Sequence, residues 1–407
     1  GVTHAKSLGM QVVVTDHHLP GDVLPPADAI VNPNQPGCEF PSKNLAGVGV
    51  AFYIMLALKA ELQQQGHFEK AGVAPPNLAS LLDIVAVGTV ADVVVLDKNN
   101  RILVHQGLQR IRAGKCRPGI KALVEVANRD CAHLTSTDLG FVVGPRLNAA
   151  GRLDDMSQGI ACLLEDETIQ ARMIAAELDA LNKERREIET GMKAQAETVL
   201  EQMALNEGDM PSALVVYRED FHQGVIGIVA GRLKEKYLKP VIAFAHQDDE
   251  IIKGSARSIP GVHIRDVLDE VNTRYPGVIE KFGGHAMAAG LSLPVAKLQD
   301  FERAFVNIAR AHMAKLDGNH ALFSDGDLSS EELCLPFAHL LRQAGPFGQG
   351  FESPLFDGEF ALLDQRLVGQ KHLKMVLKSD GANEVDAIAF NVDLKSWPNA
   401  MVKRVHI

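Results

Sequence analysis

The chain has 407 residues, a formal net charge of −10 and a mean hydropathy of zero, with 46% hydrophobic and 5% aromatic residues. That length is too great for one hydrophobic core, so two or three domains are expected, and no apolar run approaches the roughly 20 residues of a membrane span. The acidic balance means that an anionic partner must be held by local basic groups and metal ions, because the global field repels it.

The opening Gly1-Val2-Thr3-His4-Ala5-Lys6 has no initiator Met, apolar stretch or cleavage pattern of a secretion signal, and reads as the middle of a longer protein. Gln11 to Thr15 reads as a strand, and Ala29-Ile30-Val31-Asn32-Pro33-Asn34 as a short strand stopped by turn residues. Gly47 to Gln65 and Asn77 to Val87 read as apolar helices. Together they give the βαβα rhythm of a doubly wound sheet, an α/β domain over 1–165. From about 166 to 206 there is no proline and one glycine among Ala, Glu, Leu, Lys and Arg at helical spacing, which predicts one long connecting helix. A second α/β unit, 207–325, comes next: strand Ala213 to Tyr217, helix Val225 to Lys236, strand Val241 to Phe244 and an amphipathic helix from Val295 to Lys315. In 326–407, alternating runs at Leu355 to Phe360 and Leu373 to Leu377 predict strands of a small β-barrel or sandwich, and the chain stops in mid-strand at Val402 to Ile407.

Five cysteines (Cys38, Cys116, Cys131, Cys162, Cys334) without C-x-x-C spacing point to reduced thiols in a cytoplasmic protein, not to a zinc cluster or a disulfide framework. The chemistry gathers elsewhere. Thr15-Asp16-His17-His18 ends the first strand with a carboxylate and two imidazoles, at the carboxyl edge where open α/β sheets place their sites. One short loop is too poor in ligands to hold a catalytic ion, and adjacent histidines are more often a hydrogen-bonded loop. Val87-Gly88-Thr89-Val90-Ala91-Asp92 adds a carboxylate after an apolar helix and a glycine break, although Asp92 alone could equally be a helix N-cap. Asp16, His17, His18 and Asp92 together supply the N and O ligands suited to manganese or magnesium.

Gly144 to Asp154 carries Arg146, Asn148 and Arg152 among small residues, able to bring guanidinium forks close to a phosphate; the bland alternative is a solvated turn. Gly254-Ser255-Ala256-Arg257-Ser258 and Phe282-Gly283-Gly284-His285-Ala286-Met287-Ala288-Ala289-Gly290 repeat the theme, with Arg257, Ser258 and His285 as donors and Gly283 and Gly284 freeing the backbone. The latter run predicts a tight turn entering a helix, whose N-terminus would favour an anion. Phe221-His222-Gln223-Gly224 opens a helix in the same manner, with the structural reading as good as the functional one.

The Asp-His-His triplet after a strand, Gly88-Thr89-Val90-Ala91-Asp92 and Gly283 to Gly290 resemble the DHH phosphoesterase superfamily with its DHHA1 partner domain. Gly144 to Asp154 and the tail around Phe356-Asp357-Gly358 resemble its RecJ branch, bacterial single-strand-specific 5′→3′ DNA exonucleases, over nearly the whole chain. The resemblance implies a parallel-sheet DHH domain, a long helix, a DHHA1 domain and an OB-like β-domain. It implies two Mn2+ or Mg2+ ions, with His17 and Asp92 as ligands, Asp16 as a ligand or as the group that fixes an imidazole, and His18 facing the scissile phosphate. Arg146, Asn148, Arg152, Arg257, Ser258, Gly283, Gly284 and His285 would line the DNA path and hold the 5′ end. It also implies a role in DNA repair and recombination, a cleft that admits a single strand, an OB grip through stacking, a monomer, and in general terms a helicase and a single-strand-binding protein as partners.

Two small departures are Ala256, where the family has glycine, and Val94-Val95-Leu96, where it has proline. The large one is at the front: the family's Asp-x-Asp and Asp-Asn-Gly motifs precede the triplet and are absent from residues 1 to 15. The expectation is an amino-truncated polypeptide, also ending before its barrel closes, that is not a nuclease by itself. Within the superfamily, a nano-RNase, a cyclic-dinucleotide phosphodiesterase or a family II pyrophosphatase would share the triplet but lack the β-rich tail and the long helix. A catalytically silent DNA-binding scaffold is the alternative of another class, and His17, His18 and Asp92 speak against it.

Overall fold

The computed structural model describes residues 1–21, 23–207, 210–315, 323–379 and 384–407, with the backbone alone for 202–207. It divides into two compact units, 1–144 with 321–407, and 145–320. Among the described residues no helix is long and apolar enough to cross a membrane.

In the first unit, helix α1 (Val2–Ser7) leads into β1 (Val13–Thr15), which pairs in parallel with β2 (Ala29–Val31), Val13 opposite Ala29. The chain then turns helical: α2 (Gly47–Gln64), α3 (His67–Ala71), α4 (Leu82–Ala91), α5 (Lys98–Arg112), α6 (Pro118–Val126) and the single turn α7 (Ser136–Asp138), which runs into a π-helical turn, Leu139–Val143. The described residues here form a parallel sheet of two short strands and a helical layer, as expected of the α/β DHH domain. Leu45, Val50, Phe52, Val85 and Leu103 make its core. Gly88 is not a break: it lies within α4, where a methyl group would stand 2.7 Å from Val48 Cγ1, so the glycine lets α2 approach. Gly107 likewise brings α5 onto α4, since a methyl there would meet Leu82 O at 2.2 Å.

The second unit opens with α8 (Gly144–Leu153), α9 (Ser157–Leu164) and the 40-residue α10 (Thr168–Glu207). Then come β3 (Leu214–Tyr217), α11 (Ile226–Tyr237), β4 (Val241–His246), β5 (Ile251–Arg257), α12 (Ile264–Arg274), β6 (Lys281–Gly284), β7 (Ala288–Pro294) and α13 (Leu298–Met313). The sheet order is β3-β4-β5-β7-β6, with β3 and β4 parallel and the other pairs antiparallel. Phe244, Ile252, Leu291 and Leu293 bury one face against Val267, Leu268, Phe301 and Phe305 of α12 and α13. Val216, Val241 and Ala243 bury the other against α11 and against Met192, Ala196 and Leu200, which recur every four residues along α10. The boundary falls at 144/145, not near 165, because α8 is tied to α10 by an Arg146–Asp179 ion pair.

Back in the first unit, α14 (Leu335–Ala344) precedes β8 (Glu359–Val368), β9 (His372–Lys378), β10 (Glu384–Ala389) and β11 (Arg404–His406). These strands form an antiparallel sheet, β10-β9-β8-β11, over Leu362, Leu373, Met375 and Leu377. Among the described residues it is an open sheet, not a closed barrel. The expected strand at Leu355 to Phe360 begins only at Glu359, because Leu355 exchanges hydrogen bonds with Asp325 instead. The tail joins the first unit through Leu96 N to Gln349 O (2.7 Å), Ser136 Oγ to Phe347 O (2.6 Å) and the Arg101 guanidinium 4.0 Å over Phe351.

Candidate active site and phosphate pocket

At the end of β1 the Asp16 amide donates to Val31 O (3.0 Å), so the strand hands its turn directly to the triplet. Asp16 Oδ1 then accepts from the amides of His17 (2.7 Å) and His18 (3.1 Å) and meets His18 Nδ1 at 2.7 Å. Burial raises the Asp16 carboxyl's pKa, but the hydrogen bonds of His18 and the His17 amide outweigh it and hold it below its ordinary value. The carbonyls of His17 and His18 accept from Asn34 Nδ2 (2.7 Å) and Asn32 Nδ2 (2.8 Å), so the Asn-Pro-Asn turn braces the loop from the neighbouring strand. In the sequence those asparagines read only as a strand stop. At the start of α2, Gly47 faces the His17 ring: a methyl there would sit 3.5 Å from Cδ2.

This bracing brings His17 Nε2 to 3.5 Å from Asp92 Oδ2. Two donors with bonds of about 2.1 Å at about 110° to one ion lie about 3.4 Å apart, so the pair has the spacing of two ligands on one metal. Asp92 is at the C-cap of α4, its amide bonded to Gly88 O, and is not an N-cap; Asp97 caps α5 in that role, accepting from Asn100 N. A carboxylate at the negative end of a helix is electrostatically misplaced unless a cation answers it. The next residue, Val93, holds φ at +58°, which a β-branched side chain rarely adopts, so the backbone around Asp92 is strained. Asp16 turns its Oδ1 onto its own loop and the His18 ring. Among the described residues no group of three or more His, Cys, Asp or Glu side chains could hold a metal ion.

In the second unit a cationic cluster forms around β5. The strand alternates, Ile252, Gly254 and Ala256 buried, so Ser255 and Arg257 share the opposite face. Arg257 Nη1 donates to Ser255 Oγ (3.1 Å) and Ala256 O (2.8 Å), and a methyl on Gly227 of α11 would meet Arg257 Nη2 at 2.9 Å. Arg152, at the end of α8, donates to Gly224 O (3.1 Å), and Gly224 is packed so closely on the Arg152 carbonyl that a methyl would stand 2.2 Å from it. Burial pulls both guanidiniums below their ordinary pKa, and like charge adds to it, from Arg185 on Arg152 and from Arg152 on Arg257. Among the described residues neither Arg152 nor Arg257 forms an ion pair; the field of Glu189 answers part of the Arg152 charge, and the rest, with that of Arg257, is left for an anion.

The other expected residues fall differently. Arg146 is buried, its Nε and Nη2 at 2.9 and 2.7 Å from Asp179 Oδ1, which makes it an anchor between helices. Asn148 is exposed on α8. Ser258 is buried and spends its hydroxyl on Val262 O (2.6 Å), so Ser255, on the same strand face as Arg257, is the hydroxyl beside the guanidinium. Gly283 and Gly284 open no helix: they pair with Gly290 and Ala289 across a β6–β7 hairpin with His285 exposed in its loop. Gly284 has φ +151°, and a methyl there would meet Ala288 O at 2.4 Å, so only glycine fits. A methyl on Gly283 or on Gly290 would meet nothing within 4 Å, which leaves a flat, open patch beside Lys281.

Three family models match in order: the DHH family, N-terminal domain, over 1–89, the DHHA1 domain over 211–311 and the RecJ OB domain over 324–407. The single-stranded-DNA-specific exonuclease RecJ of Salmonella typhimurium is 56% identical over 100% of this chain and 71% of its own length. The chain belongs to the RecJ family. The Escherichia coli relative of the same name is 56% identical over the same shares. The structure of RecJ in complex with Mn2+ from Thermus thermophilus superposes with a TM-score of 0.79 at 29% identity; it covers 100% of this chain, which spans 57% of that one. A structure of exonuclease RecJ bound to manganese gives a TM-score of 0.60 at 30% identity, over 78% of this chain and 76% of that one.

Proposed function

We propose that this chain serves a single-stranded-DNA-specific 5′→3′ exonuclease that hydrolyses phosphodiesters with Mn2+ or Mg2+ in DNA repair and recombination. The observation that carries this is the 3.5 Å approach of His17 Nε2 to Asp92 Oδ2 in a chain of this family. His17 and Asp92 hold a metal; bound there, it supplies charge relief at the phosphate and eases activation of the attacking water. Asp16 acts as a positioning group: with Nδ1 of His18 engaged, Nε2 is the ring nitrogen left to meet a phosphate oxygen. In the second unit Arg152, Arg257 and Ser255 hold the 5′ phosphate, Asn148 and His285 contact the strand, and the Gly283–Gly290 patch lets its backbone approach. The open sheet of the tail, with Phe390 exposed, offers a stacking surface. The protein acts as a cytoplasmic monomer, and helicase and single-strand-binding proteins are its partners.

Two ligands make a weak centre, so the chain should bind Mn2+ weakly, read by paramagnetic broadening of its histidine signals. His17→Ala or Asp92→Ala should abolish that binding, and the matching substitutions in the full-length Salmonella relative should abolish Mn2+-dependent degradation of 5′-phosphorylated single strands. Equal activity in both variants would refute the assignment.

A further inference from the structure

Arg112, near the end of α5, and Arg342, on α14, line one cavity of about 230 Å3 within the first unit. With His105 they also line a groove of about 660 Å3 to which His133 and His339 contribute. Each guanidinium is steered by a carbonyl of one turn, Arg112 Nε donating to Leu134 O (2.8 Å) and Arg342 Nη2 to His133 O (2.9 Å). Neither forms an ion pair among the described residues. The nearby Asp138 turns its Oδ2 to the amide and hydroxyl of Thr135, both at 2.8 Å, and Arg129 lies 3.9 Å from its Oδ1; its field offsets part of the Arg112 charge without pairing with it. Burial, and then the field of Arg342, depresses the Arg112 pKa, as expected of two cations sharing a partly dry space. The remaining wall is mixed, with Leu108 and Phe347 on one hand and the exposed Thr137 on the other.

Two forked donors facing a common space, each with N–H groups to spare, match an anion with several oxygens. We propose that this pocket binds a phosphate group between Arg112 and Arg342. A carboxylate carries one charge and is satisfied by a single fork, whereas a phosphate accepts from both and answers both charges. None of these residues belongs to the His17–Asp92 pair or to the Arg152–Arg257 cluster, so this is a second phosphate site and does not depend on the proposed catalysis. Its phosphate comes either from a free mononucleotide, the kind of product an exonuclease releases, or from the backbone of a bound strand.

Calorimetric titration of the 407-residue chain with dAMP, inorganic phosphate and an oligothymidylate lacking terminal phosphates tests this. Arg342→Ala, at an exposed position, should weaken one class of phosphate site by about 10- to 100-fold. Arg257→Ala should spare that class. Arg112→Lys keeps the charge and loses the fork, and should weaken the same class as Arg342→Ala, with unchanged thermal unfolding as the check on folding. Loss of dAMP binding in Arg342→Ala assigns the free nucleotide as the source; loss of oligothymidylate binding assigns the strand. If the wild-type chain binds none of the three, or if Arg342→Ala and Arg112→Lys bind all three as it does, the proposal is overturned.

Discussion

Asp179→Ala separates two roles for Arg146, helix anchor or contact to the strand. Arg146 places two nitrogens on Asp179 Oδ1, Lys183 Nζ meets Oδ2 at 2.8 Å, and the paired side chains are only 10% and 6% exposed. Removing Asp179 takes from the buried guanidinium the carboxylate that answers its charge, at a cost of about 3–5 kcal/mol. For a unit of this size that lowers the unfolding midpoint by about 6–20 °C. Arg146→Met with Asp179→Leu should recover a large part of the loss, because no charge is then left buried. Burial pushes the Asp179 carboxyl up, but Lys183 and Arg146 pull it further down, so its net pKa is depressed. The pair's stabilisation is therefore complete above the unfolded carboxyl's value of about 3.9 and is lost as the pH falls below it toward the folded value. Scanning calorimetry from pH 3 to 7 should show a steeper acid fall for the wild type than for the double variant. Single-strand affinity by fluorescence anisotropy supplies the other half. If Asp179→Ala leaves the midpoint unchanged and tightens binding by releasing Arg146, the anchor assignment is wrong.

On the arginine face of β5, Ser255→Ala should reduce the preference for 5′-phosphorylated over unphosphorylated strands in competition anisotropy. Ser258→Ala should cost about 1–3 kcal/mol of stability by leaving Val262 O unanswered, without touching that preference; the reverse pattern would restore Ser258 as the contact. Among the thiols, burial pushes Cys162 up to about 11, so its alkylation should stay slow until the pH nears that value. Cys131, whose pKa is lowered first by a hydrogen bond from Cys116 and then against an opposing burial, should alkylate before Cys116, whose pKa the same bond raises. Mass spectrometry of the labelled chain across pH 7–11 reads the order.

Much of the fold and site is legible in the linear chain because the relevant distances are short along it. Asp16, His17 and His18 are neighbours, so a carboxylate that turns back on its own loop is a local event. The long α10 comes from a run without proline. The Ser255–Arg257 face comes from the alternation of buried Ile252, Gly254 and Ala256, a signal present in the chain although the motif draws the eye to Ser258. The hairpin at Gly283 to Gly290 reads as a helix start in the sequence, because paired glycines serve a close-packed strand as well as a turn. The bracing by Asn32 and Asn34 carries no signal beyond a turn.

By itself, then, the sequence determined the kinds of group available and the elements that carry them: imidazoles and a carboxylate after the first strand, arginines among small residues, a long polar-faced helix, a β-rich tail. Tertiary structure decided which of those groups meet. Burial against α10 turned Arg146 from a phosphate candidate into an anchor, while among the described residues Arg152 and Arg257 form no ion pair. The approach of His17 to Asp92 depends on α4 ending beside the loop, which glycines at 47 and 88 permit by letting backbone and ring come close. A residue's charge is written in its side chain, but the cost of that charge is set by what the fold removes from water around it.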